Sequence, residues 1–166
     1  MIAIIVEGVS DRGFIEGIAA RLKITCRVRL MRGNRPNKAA RLIKSVSVLR
    51  DINKIIFLKD LHAQDENKIR DKIRGIMEEI GEINKVYPIV VKKSIESWVL
   101  AGLYNKRDAE KIADPIRELN TLLMREGRYY IKSYDFSRRL AEMIDLNKAM
   151  RNSHSFRKFI NLLKTR

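Results

Sequence analysis

The stretch that decides the fold lies at residues 2–11, Ile2-Ala3-Ile4-Ile5-Val6-Glu7-Gly8-Val9-Ser10-Asp11. Residues 2–6 form an apolar, β-branched run of strand length, which is typical of a strand covered on both faces in a parallel sheet. A turn follows, in which Ser10 or Asp11 can cap the next helix. The apolar residues of that helix recur at helical spacing, at Phe14, Ile15, Ile18, Ala19 and Leu22. Strand, tight turn and helix predict the start of a βαβ unit.

Three further apolar runs predict three more strands, near residues 25–31, 55–58 and 86–91. Helices are expected between them, at about 38–49 and 65–83. Four strands alternating with helices predict an α/β fold, a four-stranded and mainly parallel sheet flanked by helices. The remaining pattern is helical, at 98–103, 109–124, 137–144 and 156–163. We therefore predict an α/β domain at residues 1–104 and a helical C-terminal extension at 105–166 that packs on the same domain.

The chain is strongly basic, with 35 Lys and Arg against 20 Asp and Glu and a formal net charge of +15. This charge favours a polyanionic partner, and nucleic acid fits better than a membrane because no basic cluster adjoins a long apolar span. A solvated basic surface is the alternative interpretation. One loop and the helix after it predict a phosphate-backbone track, formed by Arg29, Arg32, Arg35, Lys38 and Arg41.

Other classes of protein and site are disfavoured by what the sequence contains. The single cysteine, Cys26, allows neither an intrachain disulfide nor a cysteine-based zinc site. The apolar residues before Glu7 are too few for a signal peptide or a membrane span, so we expect a cytoplasmic protein. The sequence has neither a Walker A motif nor a Rossmann glycine fingerprint, which disfavours a small-nucleotide site.

Acidic residues follow several of the predicted strands. Glu7 follows the first strand, Asp60 the third with Asp65 a little beyond, and Glu96 comes shortly after the fourth. Ligand sites in parallel α/β sheets form beyond the carboxyl ends of the strands. Carboxylates gathered there suit Mg²⁺ or Mn²⁺, although each one taken singly is more often a helix cap or an exposed residue. Their repetition at one edge predicts a metal site.

Three motifs resemble the TOPRIM domain shared by topoisomerases, bacterial primases, 5S rRNA maturases and overcoming-lysogenization-defect nucleases. The first is Ile-Ile-Val-Glu-Gly-Val-Ser-Asp at residues 4–11, and the second is Ile-Ile-Phe-Leu-Lys-Asp-Leu-His at 55–62, where the family carries an Asp-x-Asp pair. The third is Ser94-Ile95-Glu96, which looks like the Ser/Thr-x-Glu of the lysogenization-defect nucleases. Residues 96–101 and 153–159 resemble segments of small TOPRIM-like proteins, so the similarity spans nearly the whole chain.

The resemblance implies a Rossmann-like TOPRIM fold that hydrolyses phosphodiesters in DNA or RNA with Mg²⁺ or Mn²⁺. Glu7 would be a metal ligand or general acid/base, Asp60 a metal ligand, and Glu96 a ligand of a second metal. Gly8 would let the backbone approach the ion or phosphate closely. Lys92 or Lys93 would neutralise the charge that develops on the scissile phosphate. The alternative interpretation is that these two lysines form a solvated strand end.

The sequence departs from the family pattern at His62, which replaces the second Asp of the Asp-x-Asp pair. His62 can ligate Mn²⁺ or act as a general base or phosphate donor, or it is an ordinary exposed histidine. Alternatively, Asp65 supplies the missing carboxylate. A third interpretation is a degenerate site in a non-catalytic nucleic-acid-binding or accessory protein. Near the C-terminal helices, Tyr129, Tyr130 and Tyr134 could stack unpaired bases, with aromatic packing as the simpler interpretation.

Overall fold

The computed structural model describes residues 1–31, 36–81 and 83–165. All of the paired strands are parallel, and they form one sheet in the order β2-β1-β3-β4. The strands are β1 (Ile2–Val6), β2 (Cys26–Leu30), β3 (Lys54–Asp60) and β4 (Val86–Val91). The predicted α/β fold is therefore confirmed as a Rossmann-like arrangement, with helices on both sides of an open parallel sheet.

Eight α-helices surround or extend the sheet within the described residues. Those in the first part of the chain are α1 (Val9–Arg21), α2 (Pro36–Ser47), α3 (Glu66–Ile80) and α4 (Ile95–Leu103). Those in the C-terminal part are α5 (Pro115–Arg125), α6 (Tyr134–Met143), α7 (Leu146–Asn152) and α8 (His154–Lys164). Across the described ranges, no helix combines the length and the apolar character needed to cross a membrane.

The sheet separates two hydrophobic cores, because successive side chains of a strand point to opposite faces. On β1, Ala3 and Ile5 face the core formed with α2 and α3. Ile4 and Val6 face the other core, which includes buried residues from α1 and from the helices α4 to α8. β3 is buried along its whole length, which explains the continuous apolar run at residues 55–58.

The C-terminal helices join the second core through Trp98 on α4. The Trp98 ring lies 5.2 Å from that of Phe156 and 5.4 Å from that of Phe159, measured between centroids. Its Nε1 donates to Ser155 Oγ at 2.8 Å. All three aromatic side chains are fully buried, so they form the centre of this core.

Several helix boundaries differ from the predicted ones. α1 is capped by Gly8, so the prediction of a cap at Ser10 or Asp11 was wrong. Both residues lie within the first turn of the helix. The predicted helix at 109–124 is broken, because α5 starts anew at Pro115, which lacks an N–H donor and suits a first helical position. The short helix α7 was not predicted.

Candidate metal centre

Three side chains meet where β1 and β3 end at the carboxyl edge of the sheet. Glu7 directly follows β1, Asp60 is the last residue of β3, and His62 comes two residues later. One ligand atom from each of the three lies within 4.8 Å of the others. Because β1 and β3 are adjacent and parallel, their carboxyl ends bring these residues together. The group can therefore hold a metal ion.

His62 is directed toward the two carboxylates. Its Nε2 lies 3.4 Å from Glu7 Oε2 and 3.9 Å from Asp60 Oδ2. Its backbone has a positive φ of 50°, which histidine, asparagine and aspartate adopt more readily than most residues. The N–H of His62 donates to the carbonyl of Lys93 at 2.7 Å, which fixes this conformation. His62 therefore belongs to the site.

Lys59 supplies a buried cation to the same site. It is 4% exposed on β3, and its Nζ donates to Glu7 Oε1. Burial alone would raise the pKa of Glu7, but the hydrogen bonds from His62 and Lys59 and the charge of Lys59 outweigh it, so the pKa is lowered. Glu7 is thus held in the ionised form that binds a cation. The sequence analysis missed Lys59, although a lysine inside a buried strand signals a charged partner.

A further carboxylate, Asp11, is crowded into the same region and acts on Asp60. Burial raises the pKa of Asp11 to about 6, and the charges of Glu96 and Glu7 add to this effect, whereas the hydrogen bond from Gly8 N at 2.9 Å opposes it. Burial, followed by the charges of Asp11, Glu7 and Glu96, raises the pKa of Asp60 well above its usual range. A bound cation would relieve this repulsion, because an opposite charge nearby favours the ionised forms.

Glu96 contributes a buried carboxylate oxygen to the same region. It lies in the first turn of α4 and is 3% exposed. Its Oε1 accepts a hydrogen bond from Tyr130 Oη, while Oε2 is buried and has no hydrogen-bond partner among the described residues. A buried polar atom left unpaired is costly and calls for a ligand. This oxygen and the neighbouring carboxylates fit a hard divalent cation such as Mg²⁺ or Mn²⁺.

The segment between α5 and α6 carries two residues to the site. Tyr130 donates to Glu96, and burial followed by the charge of Glu96 raises the pKa of Tyr130 far above its ordinary value, so it stays protonated. The positive charge of Lys132 partly opposes the rise in the pKa of both Asp11 and Asp60. The C-terminal part of the chain therefore helps to build the centre, which the sequence analysis did not predict.

Replacing Tyr130 by Phe tests whether this hydroxyl positions Glu96. Outer hydrogen-bond partners of metal ligands typically account for roughly 10- to 100-fold in metal affinity. We expect Tyr130→Phe to weaken Mn²⁺ binding by about this factor in calorimetric titration. Tyr129→Phe is the control, since Tyr129 is 68% exposed and should bind Mn²⁺ like wild type. Equal affinity in the two variants would contradict a positioning role.

The structure also locates the other predicted site residues. Gly8 donates its N–H to Asp11, and its φ of −127° is open to any residue. Asp65 caps α3 by accepting from Asn67 N at 2.8 Å and lies outside the three-residue group. Lys92 pairs with Glu66 rather than with the carboxylates of the centre. Lys93 contacts the site through its carbonyl, as described for His62.

The predicted phosphate track lies on the side of the sheet that ends in β2. Arg29, Lys38 and Arg41 are exposed there, on β2 and α2. Arg32 and Arg35 fall outside the described residues. The exposed members are compatible with contacts to a polyanion, and binding by this track remains a prediction.

The site was also compared with known proteins. The chain has no match among models of protein families, among curated proteins or among solved structures. The TOPRIM resemblance therefore remains a prediction from three sequence motifs, and the metal centre rests on its own geometry.

Proposed function

We propose that the protein is a nuclease that hydrolyses phosphodiesters in nucleic acid with Mg²⁺ or Mn²⁺ bound at Glu7, Asp60 and His62. The observation that carries the proposal is the convergence of these ligand atoms within 4.8 Å at the carboxyl edge of the sheet. The unpartnered Glu96 oxygen and the net charge of +15 support it. The motifs that resemble the TOPRIM domain supply the reaction class.

The side chains have distinct roles in this proposal. A bound divalent ion would polarise the phosphoryl oxygen and lower the pKa of an attacking water. Glu7 and Asp60 supply negative charge, and Lys59 orients Glu7 through their ion pair. The His62 side chain is 43% exposed, so a substrate phosphate can reach the ion that His62 would help to hold. Tyr130 holds Glu96 in place.

The ion pair between Lys59 and Glu7 favours a second candidate function. An internal cation already neutralises part of the carboxylate charge, as expected of a site that no longer needs a metal. The protein would then be a non-catalytic nucleic-acid-binding or accessory protein. It would bind strands without cutting them, with or without divalent ions.

Cleavage of labelled single- and double-stranded DNA and RNA in Mg²⁺, Mn²⁺ or EDTA tests the two candidates. The nuclease proposal predicts cleavage that needs a divalent ion and is lost in Glu7→Gln. Glu78→Gln is the matched control, because Glu78 is exposed on α3 and its loss should leave cleavage intact. Binding without cleavage in every metal would instead support the binding protein.

Replacing His62 by Asp tests the metal preference of the centre. The variant restores the Asp-x-Asp pattern, and aspartate tolerates the positive φ at this position. Carboxylate oxygens suit Mg²⁺, whereas imidazole suits softer ions. We expect the ratio of Mg²⁺ to Mn²⁺ affinity, measured by calorimetry, to rise several-fold. In His62→Ala both affinities should fall, and an unchanged ratio in His62→Asp would exclude His62 as a ligand.

A further inference from the structure

A cleft of about 460 Å³ lies beside β4, between α3 and α8. Its floor is the edge of β4 at Pro88 and Ile89, and its walls include Arg70 on α3 and Lys158 on α8. A second cavity of about 370 Å³ adjoins it along α8 and shares Lys158 in its lining. Together they form a groove along the opposite edge of the sheet from β2.

The groove begins next to the metal centre. Lys92, which lines the cleft, directly follows Val91, and Val91 pairs with Asp60 across the sheet. The next residue, Lys93, accepts a hydrogen bond from the N–H of His62 at 2.7 Å. Adjacent strands lie roughly 5 Å apart. A chain bound at Asp60 and His62 can therefore run directly into the cleft.

The cleft already holds one anion between two cations. Glu66 Oε1 accepts from Arg70 at 2.7 Å, and Glu66 Oε2 accepts from Lys92. The Glu66 side chain is 35% exposed, so it can turn outward. A phosphate in its place would accept the same hydrogen bonds, which are the kind that arginine and lysine offer to phosphate groups. Glu66 thus occupies a ready-made phosphate position.

The shape of the cleft favours an unpaired strand. Its volume lies in the range of pockets that enclose a small ligand. Ile73 and Pro88, both partly exposed, supply apolar surface beside the cations, which suits the face of a base next to its phosphate. The bases of a duplex are stacked and paired inside the helix, so they cannot enter such a cleft without being flipped out.

We propose that this cleft binds the nucleotide next to the scissile phosphate of a single-stranded nucleic acid. Its phosphate lies at Arg70, Lys92 and Lys158, and its base rests on Ile73 and Pro88. This inference rests on the proposed nuclease function and names single-stranded nucleic acid as the substrate class.

Fluorescence anisotropy with a labelled single strand and the matching duplex, in EDTA, tests the cleft. Wild type should bind the single strand more tightly than the duplex. Arg70→Ala/Lys158→Ala should weaken single-strand binding by roughly tenfold or more. It should also reduce the magnitude of the slope of log affinity against log salt by up to about 0.7, because the cleft holds one phosphate and each phosphate contact to a single strand accounts for about 0.7. The charge-matched control is Lys111→Ala/Arg125→Ala, which lies outside the cleft.

Glu66→Gln provides a test in the opposite direction. It removes the internal competitor for Arg70 and Lys92, so single-strand binding should become several-fold tighter. Equal losses in the cleft variant and the charge-matched control would overturn the proposal, as would a loss confined to Arg29→Ala/Arg41→Ala. The assay contains no metal, so it is independent of catalysis. Single-strand binding that depends on the cleft, in a protein that never cleaves, would support the cleft and refute the nuclease.

Discussion

Asp60→Asn is expected to abolish metal-dependent cleavage and, in the metal-free protein, to raise the melting temperature. Asparagine keeps the shape of the side chain but loses the charge that binds the cation. Mutation of a residue that hydrogen-bonds to a metal ligand lowers metal affinity or activity by up to about 100-fold. Loss of a direct ligand such as Asp60 should exceed that factor. Cleavage rates of Asp60→Asn and of wild type, both measured with saturating Mn²⁺, test this expected loss of activity.

The gain in stability follows from the crowding of carboxylates. The pKa of Asp60 is raised well above its usual range by burial and by Asp11, Glu7 and Glu96. Between its unfolded and folded pKa values, the folded state binds more protons than the unfolded state, so the free energy of unfolding falls as pH rises. Asp11 adds to this fall between its ordinary pKa of 3.8 and its raised pKa of about 6. Asp60→Asn removes the charge of this side chain and therefore the part of the fall in the free energy of unfolding that Asp60 causes.

Thermal melts in EDTA from pH 4 to pH 8 measure the stability effect. The melting temperature of Asp60→Asn should exceed that of wild type by a few degrees at neutral pH, with the difference shrinking toward pH 4. In a chain of this size, 1 kcal/mol corresponds to roughly 2–4 °C. Asp71→Asn, at an exposed position on α3, should melt like wild type at every pH. A less stable Asp60→Asn at neutral pH would contradict the repulsion between these carboxylates.

Gly13→Ala is expected to be the most destabilising glycine-to-alanine change among the glycines that the structure describes. A Cβ at Gly13 would lie 2.2 Å from the carbonyl oxygen of Tyr134, so α1 and α6 would have to separate. Overpacking of this kind typically costs about 1–3 kcal/mol, and contact with rigid backbone places the expected cost near the upper value. Urea unfolding followed by circular dichroism measures it.

Gly75→Ala is the matched control for Gly13→Ala. Gly75 lies within α3, and a Cβ there would meet no atom within 4 Å. Alanine is favoured over glycine in a helix by roughly 0.5–1 kcal/mol, so this variant should be more stable than wild type. Opposite signs for the two substitutions are the expected outcome. A neutral Gly13→Ala would show that α1 and α6 are not in close contact.

The sheet and two of its site residues could be predicted because local sequence determines them. β4 has the predicted bounds Val86–Val91, and β1 matches the apolar run that opens the chain. Glu7 and Asp60 were found because parallel strands bring their carboxyl ends to one edge. His62 was identified as the residue that departs from the family pattern, and the structure places its ring beside both carboxylates.

The rest of the site depends on contacts that sequence spacing does not reveal. Tyr130 lies 34 residues from Glu96 along the chain, and only the packing of the C-terminal helices joins them. Asp11 was interpreted as a possible cap, but the helix begins earlier and directs it to Gly8 and the centre. Lys92 or Lys93 was expected at the scissile phosphate, yet Lys92 pairs with Glu66 on α3, which only the fold could show.

The most direct test of the metal centre is a Mn²⁺ titration of wild type and Glu7→Gln at several pH values, followed by electron paramagnetic resonance. We predict that wild type binds Mn²⁺ with an affinity that rises with pH, because Asp60 and Asp11, whose pKa values are raised by burial, lose their protons. Glu7→Gln should bind at least about tenfold more weakly. Wild-type protein that binds no Mn²⁺, or binds it no better than Glu7→Gln, would contradict the metal centre.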